Sequence, residues 1–246
     1  SIAGGAAGAA EYSVGIGAGF APDYEGSDDY EAVPTWLLSA SDLYHPDTHI
    51  TLAGPVLRSN FVPHPQFRAG LVGQWLDDRD DVDDDAVDEL GSTDTALLLG
   101  ATVGWDFFAG QPLSLTAAID LRYDVANGNG YLVTPRLTYA NAWPESRFSI
   151  GAELFGNWAS DDYMSEQFGV AADEAARAGL DAHDADAGFK DAGLRLSVDY
   201  RFVENVSGTL LGAYSRILGD AADSPIVDDR GDENQFFVGA LVNYHF

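Results

Sequence analysis

The chain has 246 residues, no cysteine and a formal net charge of -28, with 40 acidic residues against 12 basic ones. Without cysteine neither disulfides nor thiolate metal sites hold it together, and so acidic a surface excludes tight binding to nucleic acid or to an anionic leaflet through a basic patch. No run approaches the roughly 18 to 20 apolar residues of a membrane-spanning helix, so a membrane location requires a closed barrel, in which every backbone polar group is paired.

In chain order, the small apolar opening SIAGGAAGAAE lacks a basic region followed by a long apolar segment. It reads as a flexible stretch, residues 1–10, lying just after a removed export signal. Residues 11–246 read as one barrel domain. Tyr12, Val14, Ile16, Ala18 and Phe20 alternate with Ser13, Gly15, Gly17 and Gly19, giving a strand with one apolar face and one face of very small residues. Glycine on the inner face implies close approach or a filled lumen. The acidic segment APDYEGSDDYEAVP is broken by Pro22 and Gly26 and reads as a turn. A weaker strand follows around 32–41, and another around 49–58 that Gly54 and Pro55 interrupt.

Alternation returns at Phe67, Ala69, Leu71, Gly73 and Trp75 and stops at DDRDDVDDDAVDELGSTD, where like charges repel one another and stay solvated. Asp81, Asp83 and Asp85 have the spacing of calcium ligands, but the sixth position is Ala86 instead of the glycine such a loop needs; no metal site is expected. The clearest strands come next: Leu97 to Phe107, Leu113 to Tyr123, Tyr131 to Tyr139 and Phe148 to Trp158, each apolar on one side and polar on the other. The stretch 161–187 breaks the pattern; its alanines favour a short helix that Gly179 ends. Strands at 194–202, 206–218 and 236–246 complete the chain, the last with Phe236, Val238, Ala240, Val242, Tyr244 and Phe246 on one face. A strand ending on an aromatic, with tyrosine two residues earlier, is similar to the closing strand of bacterial outer-membrane barrels.

Short turns at 109–112, 141–146 and 204–205 alternate with long acidic loops at 77–94, 161–187 and 220–235, and 126–130 is the one short connection on the long-loop side. Outer-membrane barrels keep short turns in the periplasm and long loops outside. The expected fold is therefore all-β: an antiparallel transmembrane β-barrel with long acidic extracellular loops and a short helix in one of them. Eleven alternating segments can be marked, whereas a barrel with both ends in the periplasm needs an even number. Twelve strands follow if two have been merged, ten if the Gly54-Pro55 segment does not span.

On the polar faces stand Asp120, Arg122, Asp124, Arg136, Glu153, Arg195, Asp199 and Arg201. Charges enclosed in a narrow lumen must be matched, so ion pairs that plug it are the favoured reading; the alternative is a narrow pore whose arginines select anions. His45, His49 and His64 sit beside prolines in turn-like surroundings, and His245 lines the lumen near the periplasmic rim. His183 lies among carboxylates and could pair with Ser165 as a hydrolase couple, but no serine elbow supports this. No catalytic residue and no cofactor are expected.

APDYEGSDDY, YMSEQFGVAADEAARAGLDAHDADAGFKD and GDAADSPIVDDRGDENQ before an aromatic C-terminal strand resemble the MipA/OmpV family of outer-membrane proteins. Asp220, Asp223, Ser224 and Pro225 are the most specific part of the match. The resemblance implies the bacterial outer membrane, with its lipid and lipopolysaccharide as surroundings. It further implies a non-enzymatic role, either as a scaffold between a lytic transglycosylase and a murein synthase or as a surface interaction protein. A solute channel is the alternative. The unusual acidity departs from the family and bears on any contact that relies on basic residues.

Overall fold

The computed structural model describes residues 10–80, 82–143 and 146–246. Twelve antiparallel strands form one closed barrel: β1 (Glu11–Pro22), β2 (Tyr30–Ser41), β3 (His49–Ala53), β4 (Val56–Asn60), β5 (Phe67–Leu76), β6 (Ala96–Asp106), β7 (Leu113–Asp124), β8 (Tyr131–Ala142), β9 (Phe148–Ala159), β10 (Gly188–Val203), β11 (Val206–Ile217) and β12 (Asn234–His245). Each pairs with its sequence neighbours, and β1 closes on β12 from Ser13↔His245 to Phe20↔Val238. A 12-residue strand rising about 3.3 Å per residue and tilted about 40° reaches roughly 30 Å, the thickness of a bilayer core. The alternation sets which side faces lipid. Ile16, Leu210 and Val238 are 76%, 64% and 60% exposed, whereas Gln235, Leu241 and Asn243 on the inner face of β12 are buried.

The strand expected over 49–58 is two strands, which settles the count at twelve. Gly54, with φ of +52°, and Pro55 form a two-residue hairpin between β3 and β4, paired from His49↔Asn60 to Ala53↔Val56. A proline at such a tip costs no ladder hydrogen bond, so it marks a turn and not an interruption. With this hairpin the long-loop side has a second short connection besides the one before β8. His49 is correspondingly a strand residue, paired with Ser41 and Asn60, and not part of a turn. Pro135 lacks a partner on β9, and the β8–β9 ladder skips Thr134 and Pro135.

The inner glycines of β1 let the backbone and side chains of β12 approach closely. A Cβ on Gly15 would lie 2.1 Å from Asn243 Oδ1 and one on Gly17 1.8 Å from the Ala240 carbonyl oxygen, while the Phe237 ring occupies the space at Gly19.

The acidic loops do not simply stay in solvent. Among the described residues they carry five short helices: α1 (Asp85–Asp88), α2 (Asp161–Phe168), α3 (Ala172–Ala178), α4 (Gly219–Ala222) and α5 (Pro225–Asp228). The helix expected to end at Gly179 is α3, whose cap has φ of +71°; α2 precedes it. In the loop 77–94 the Asp84 carboxylate accepts from the amides of Ala86 and Val87 and so caps α1, while Val87 and Leu90 are buried. Asp81, the first candidate calcium ligand, lies outside the described residues. So does the expected flexible stretch, apart from Ala10.

Candidate functional site

The barrel places two polar constellations in its lumen and a packed cap over its extracellular mouth. At mid-height, β7, β8, β9 and β10 direct Asp120, Arg136, Glu153 and Arg195 inward, and β4 adds Arg58. Arg136 Nε donates to both Asp120 oxygens at 3.2 Å. Glu153 accepts from Arg195 at 2.7 Å, from the Thr138 hydroxyl at 3.0 Å and from Arg58 at 3.4 Å, with Arg136 3.7 Å away. The Arg195 guanidinium also lies over the Phe155 ring at 3.7 Å, a favourable cation–π geometry. Three guanidiniums thus surround two carboxylates. A desolvated charge is costly unless matched, and here the pairing joins opposite walls of the barrel across its axis.

Two residues higher on β7, Arg122 starts a second layer. It donates to Gln74 of β5, to the Thr134 hydroxyl at 2.6 Å and to Asn157 at 3.4 Å. Asn157 passes the chain on to Asp191 at 2.7 Å, and Lys190 binds Asp191 at 2.5 Å and Glu25 of the β1–β2 loop. The lumen is therefore bridged twice.

The remaining inward charges have other partners. Asp124 is buried at the upper end of β7, where its carboxylate accepts the amides of Ala126 and Asn129 and so closes the turn to β8. Asp199 accepts from Ser207 and Thr209 at 2.8 Å near the periplasmic end, where His245 meets Ser207 at 3.0 Å. Arg201 is exposed at the rim and donates to the Glu204 carbonyl. Sequence reasoning missed Arg58 because its segment was demoted by Pro55. It also missed Arg68, which bridges Asp47 and Asp106 at 3.1 and 3.4 Å near the same rim.

The cap gathers the three segments that carried the family resemblance. One apolar cluster joins Tyr163, Met164 and Phe168 of α2 to Ala221 and Val227, above Leu98, Leu132 and Ile217 of the strands. A second joins Tyr24, Val87, Leu90, Val170 and Ile226. Ser224, fully buried, donates to the Phe168 carbonyl at 2.7 Å, and Pro225 begins α5. Asp223 is the C-cap of α4. The Asp220 carboxylate accepts from the Asp186 amide at 3.1 Å, and the Asp220 carbonyl meets His183 Nε2 at 2.8 Å. His183 is thereby a strut between two loops, and among the described residues no hydrogen bond joins it to Ser165. Arginine from three loops adds ties: Arg79 to the Gln167 carbonyl, Arg177 to the Leu90 carbonyl and Arg230 to Asp84. Burial raises the Tyr24 phenol to about 12, and burial likewise pushes Tyr163 up.

Among solved structures, the NanC porin superposes with a TM-score of 0.51 at 8% identity, over 94% of this chain and 98% of that one. An outer-membrane channel from Pseudomonas putida F1 superposes at 0.49 and 13% identity over 100% of both chains. The NanC likeness concerns the fold alone. Curated proteins give no match to the sequence. The family model described as MltA-interacting protein MipA matches residues 14–246. The chain belongs to the MipA family and is a twelve-stranded β-barrel of the bacterial outer membrane.

Proposed function

We propose that this barrel is a non-enzymatic membrane anchor that docks a lytic transglycosylase of the MltA type on its periplasmic face; the family description, MltA-interacting protein, supports a partner of that kind. The observation that carries the reading is the double bridging of the lumen by Arg136, Asp120, Glu153 and Arg195 and then by Arg122, Asn157 and Asp191. A lumen crossed by these ion pairs and hydrogen bonds leaves the outer surfaces to act. On the periplasmic side, Tyr44, Phe108 and Trp143 are exposed in the connections after β2, β6 and β8. Aromatic side chains are the usual anchors of protein interfaces. Outer-membrane lipid and lipopolysaccharide surround the apolar belt, and a murein synthase joins through the docked enzyme.

The test is surface plasmon resonance with the detergent-solubilised barrel immobilised and purified transglycosylase as analyte. Binding should weaken about tenfold or more in a Phe108→Ser, Trp143→Ser double variant, the loss of a moderate hot spot. Equal binding by variant and parent, or none by either, would overturn the docking reading. A second reading, a narrow anion-selective channel, draws on the three guanidiniums facing two carboxylates at mid-lumen.

A further inference from the structure

The lumen is not closed to the same degree at its two ends. Above the mid-height constellation the inward side chains are shut away from water: Arg122, Thr134, Asn157 and Asp191 are buried, and Leu98 and Leu132 pack under the cap. Below it they are not. Ser39, Thr51, Thr116, Thr138, Ser197 and Thr209 face inward by the alternation of their strands, and each is partly exposed. Such short side chains cannot fill a barrel of twelve strands from wall to wall, so water enters from the periplasmic end. The lower lumen is a cup with the constellation at its blind end.

That blind end is electrically unbalanced. The guanidiniums of Arg58, Arg136 and Arg195 face only the carboxylates of Asp120 and Glu153. One positive charge is left over, in a chain whose net charge is -28. The bonding is uneven too. Arg136 is engaged by both Asp120 oxygens, by Thr102 and by Thr138. Among the described residues Arg58 and Arg195 each give one hydrogen bond, and both give it to the same atom, Glu153 Oε1. These are also the exposed pair, at 34% and 44% of the side chain against 12% for Arg136. Two guanidiniums therefore have donors to spare where water reaches them. A planar fork of N–H donors fits a carboxylate by two parallel bonds, and the Phe155 ring supports that of Arg195 from one face.

The carboxylates nearer the rim lie too far away to cancel this charge. Asp199 is four residues below Arg195 on β10, and Asp106 is paired with Thr116, four residues below Asp120 on β7. Four residues span about 13 Å, beyond the screening length of about 8 Å at physiological salt. Both have partners of their own, Ser207 and Thr209 for Asp199 and Arg68 for Asp106.

We propose that the periplasm-facing cup binds a slender molecule that ends in a carboxylate. The guanidiniums of Arg195 and Arg58 hold the carboxylate, and the polar chain behind it lies among the hydroxyls of the lower wall. A monoanion supplies the charge that the constellation lacks. The site is separate from the docking face at the periplasmic turns, and its ligand goes no farther, because the buried layer around Arg122 closes the far end.

The chain has no cysteine, so one introduced thiol reports on the cup in the full-length barrel. Ser197→Cys places it between Arg195 and the rim, and Thr134→Cys places it in the buried layer above. In detergent-solubilised protein a small thiosulfonate reagent should modify the first readily and the second hardly at all. The probe is acetyl-alanyl-alanine, compared with acetyl-alanyl-alaninamide, which has nearly the same shape and no charge. The acid in millimolar excess should slow modification of Ser197→Cys about tenfold, the low end of what a hydrogen bond to a charged group contributes; the amide should leave the rate unchanged. Protection should disappear on adding Arg195→Gln. It should also disappear on adding Ala140→Glu, which leaves the constellation intact and sets a carboxylate on the exposed inner wall between Ser114 and Gly151. Each variant is compared as a barrel that still migrates as folded on unheated gels. Equal protection by acid and amide, or none by either, would overturn the proposal. So would protection that survives both substitutions, or a Thr134→Cys thiol as reactive as Ser197→Cys, which would make the cup a through passage.

Discussion

Replacing Glu153 by glutamine keeps the side-chain shape and removes one charge from the mid-lumen constellation. Arg58, Arg136 and Arg195 would then face Asp120 alone. Breaking a buried pair by removing one partner costs about 3–5 kcal/mol, because the other charge stays desolvated. Two features moderate this. The Arg58 and Arg195 side chains are 34% and 44% exposed, so water screens them, and the amide oxygen can still accept from Thr138. A loss of about 3 kcal/mol is therefore expected, near the lower end of that range. Urea titration of the barrel in phospholipid vesicles, followed by tryptophan fluorescence, would measure it. Adding Arg58→Gln should recover part of the loss, since the two residues share one network. A single-variant loss under about 1 kcal/mol, as for exposed pairs, would refute the claim that this network is desolvated and cross-braces the lumen.

Other outcomes follow from the seam and the cap. Gly17→Ala would place a Cβ 1.8 Å from the Ala240 carbonyl; overpacking of about 1–3 kcal/mol should lower the folded fraction seen as heat-modifiable migration, while Gly212→Ala, with open space around it, should not. Ser224→Ala leaves the Phe168 carbonyl unpaired and should weaken the cap by about 1–3 kcal/mol, seen as faster proteolysis between β9 and β10 with unchanged barrel melting. Alkali acts on the same clusters. Burial raises Tyr24 from 10 to about 12, so its contribution is fully present below pH 10 and is lost as pH rises toward 12. Tyr163 moves the same way, and proteolysis of the loops should accelerate over that window; a Tyr24→Phe, Tyr163→Phe variant should show a smaller change.

Much of the barrel was legible because lipid imposes a period of two on every spanning strand, and β6 to β9 carry it without interruption. The merged strand at 49–58 was not, since a proline inside an alternating run reads equally as a defect or as a hairpin tip; the backbone of Gly54 decides it. Losing that hairpin also hid Arg58, the charge that joins β4 to the lumen network. The cap was illegible for a different reason. Val87, Leu90, Phe168, Val170 and Ile226 are scattered among aspartates with no common period, and their shared burial comes only from loops distant in sequence meeting over the barrel. Asp124 looked like a lumen charge by alternation, yet its carboxylate is used by the turn one residue beyond. The segment around Ser224 stood out in the sequence for its resemblance; its buried bond to Phe168 gives it a structural task.

The central claim is that the ion-pair and hydrogen-bond network crossing the lumen shuts it, and single-channel recording across planar lipid bilayers tests it most directly. The purified barrel should give no steady current in molar salt, whereas Glu153→Gln, which leaves three guanidiniums with one carboxylate, should admit brief anion-selective openings. Sustained, ohmic current through the unmodified protein would contradict the account.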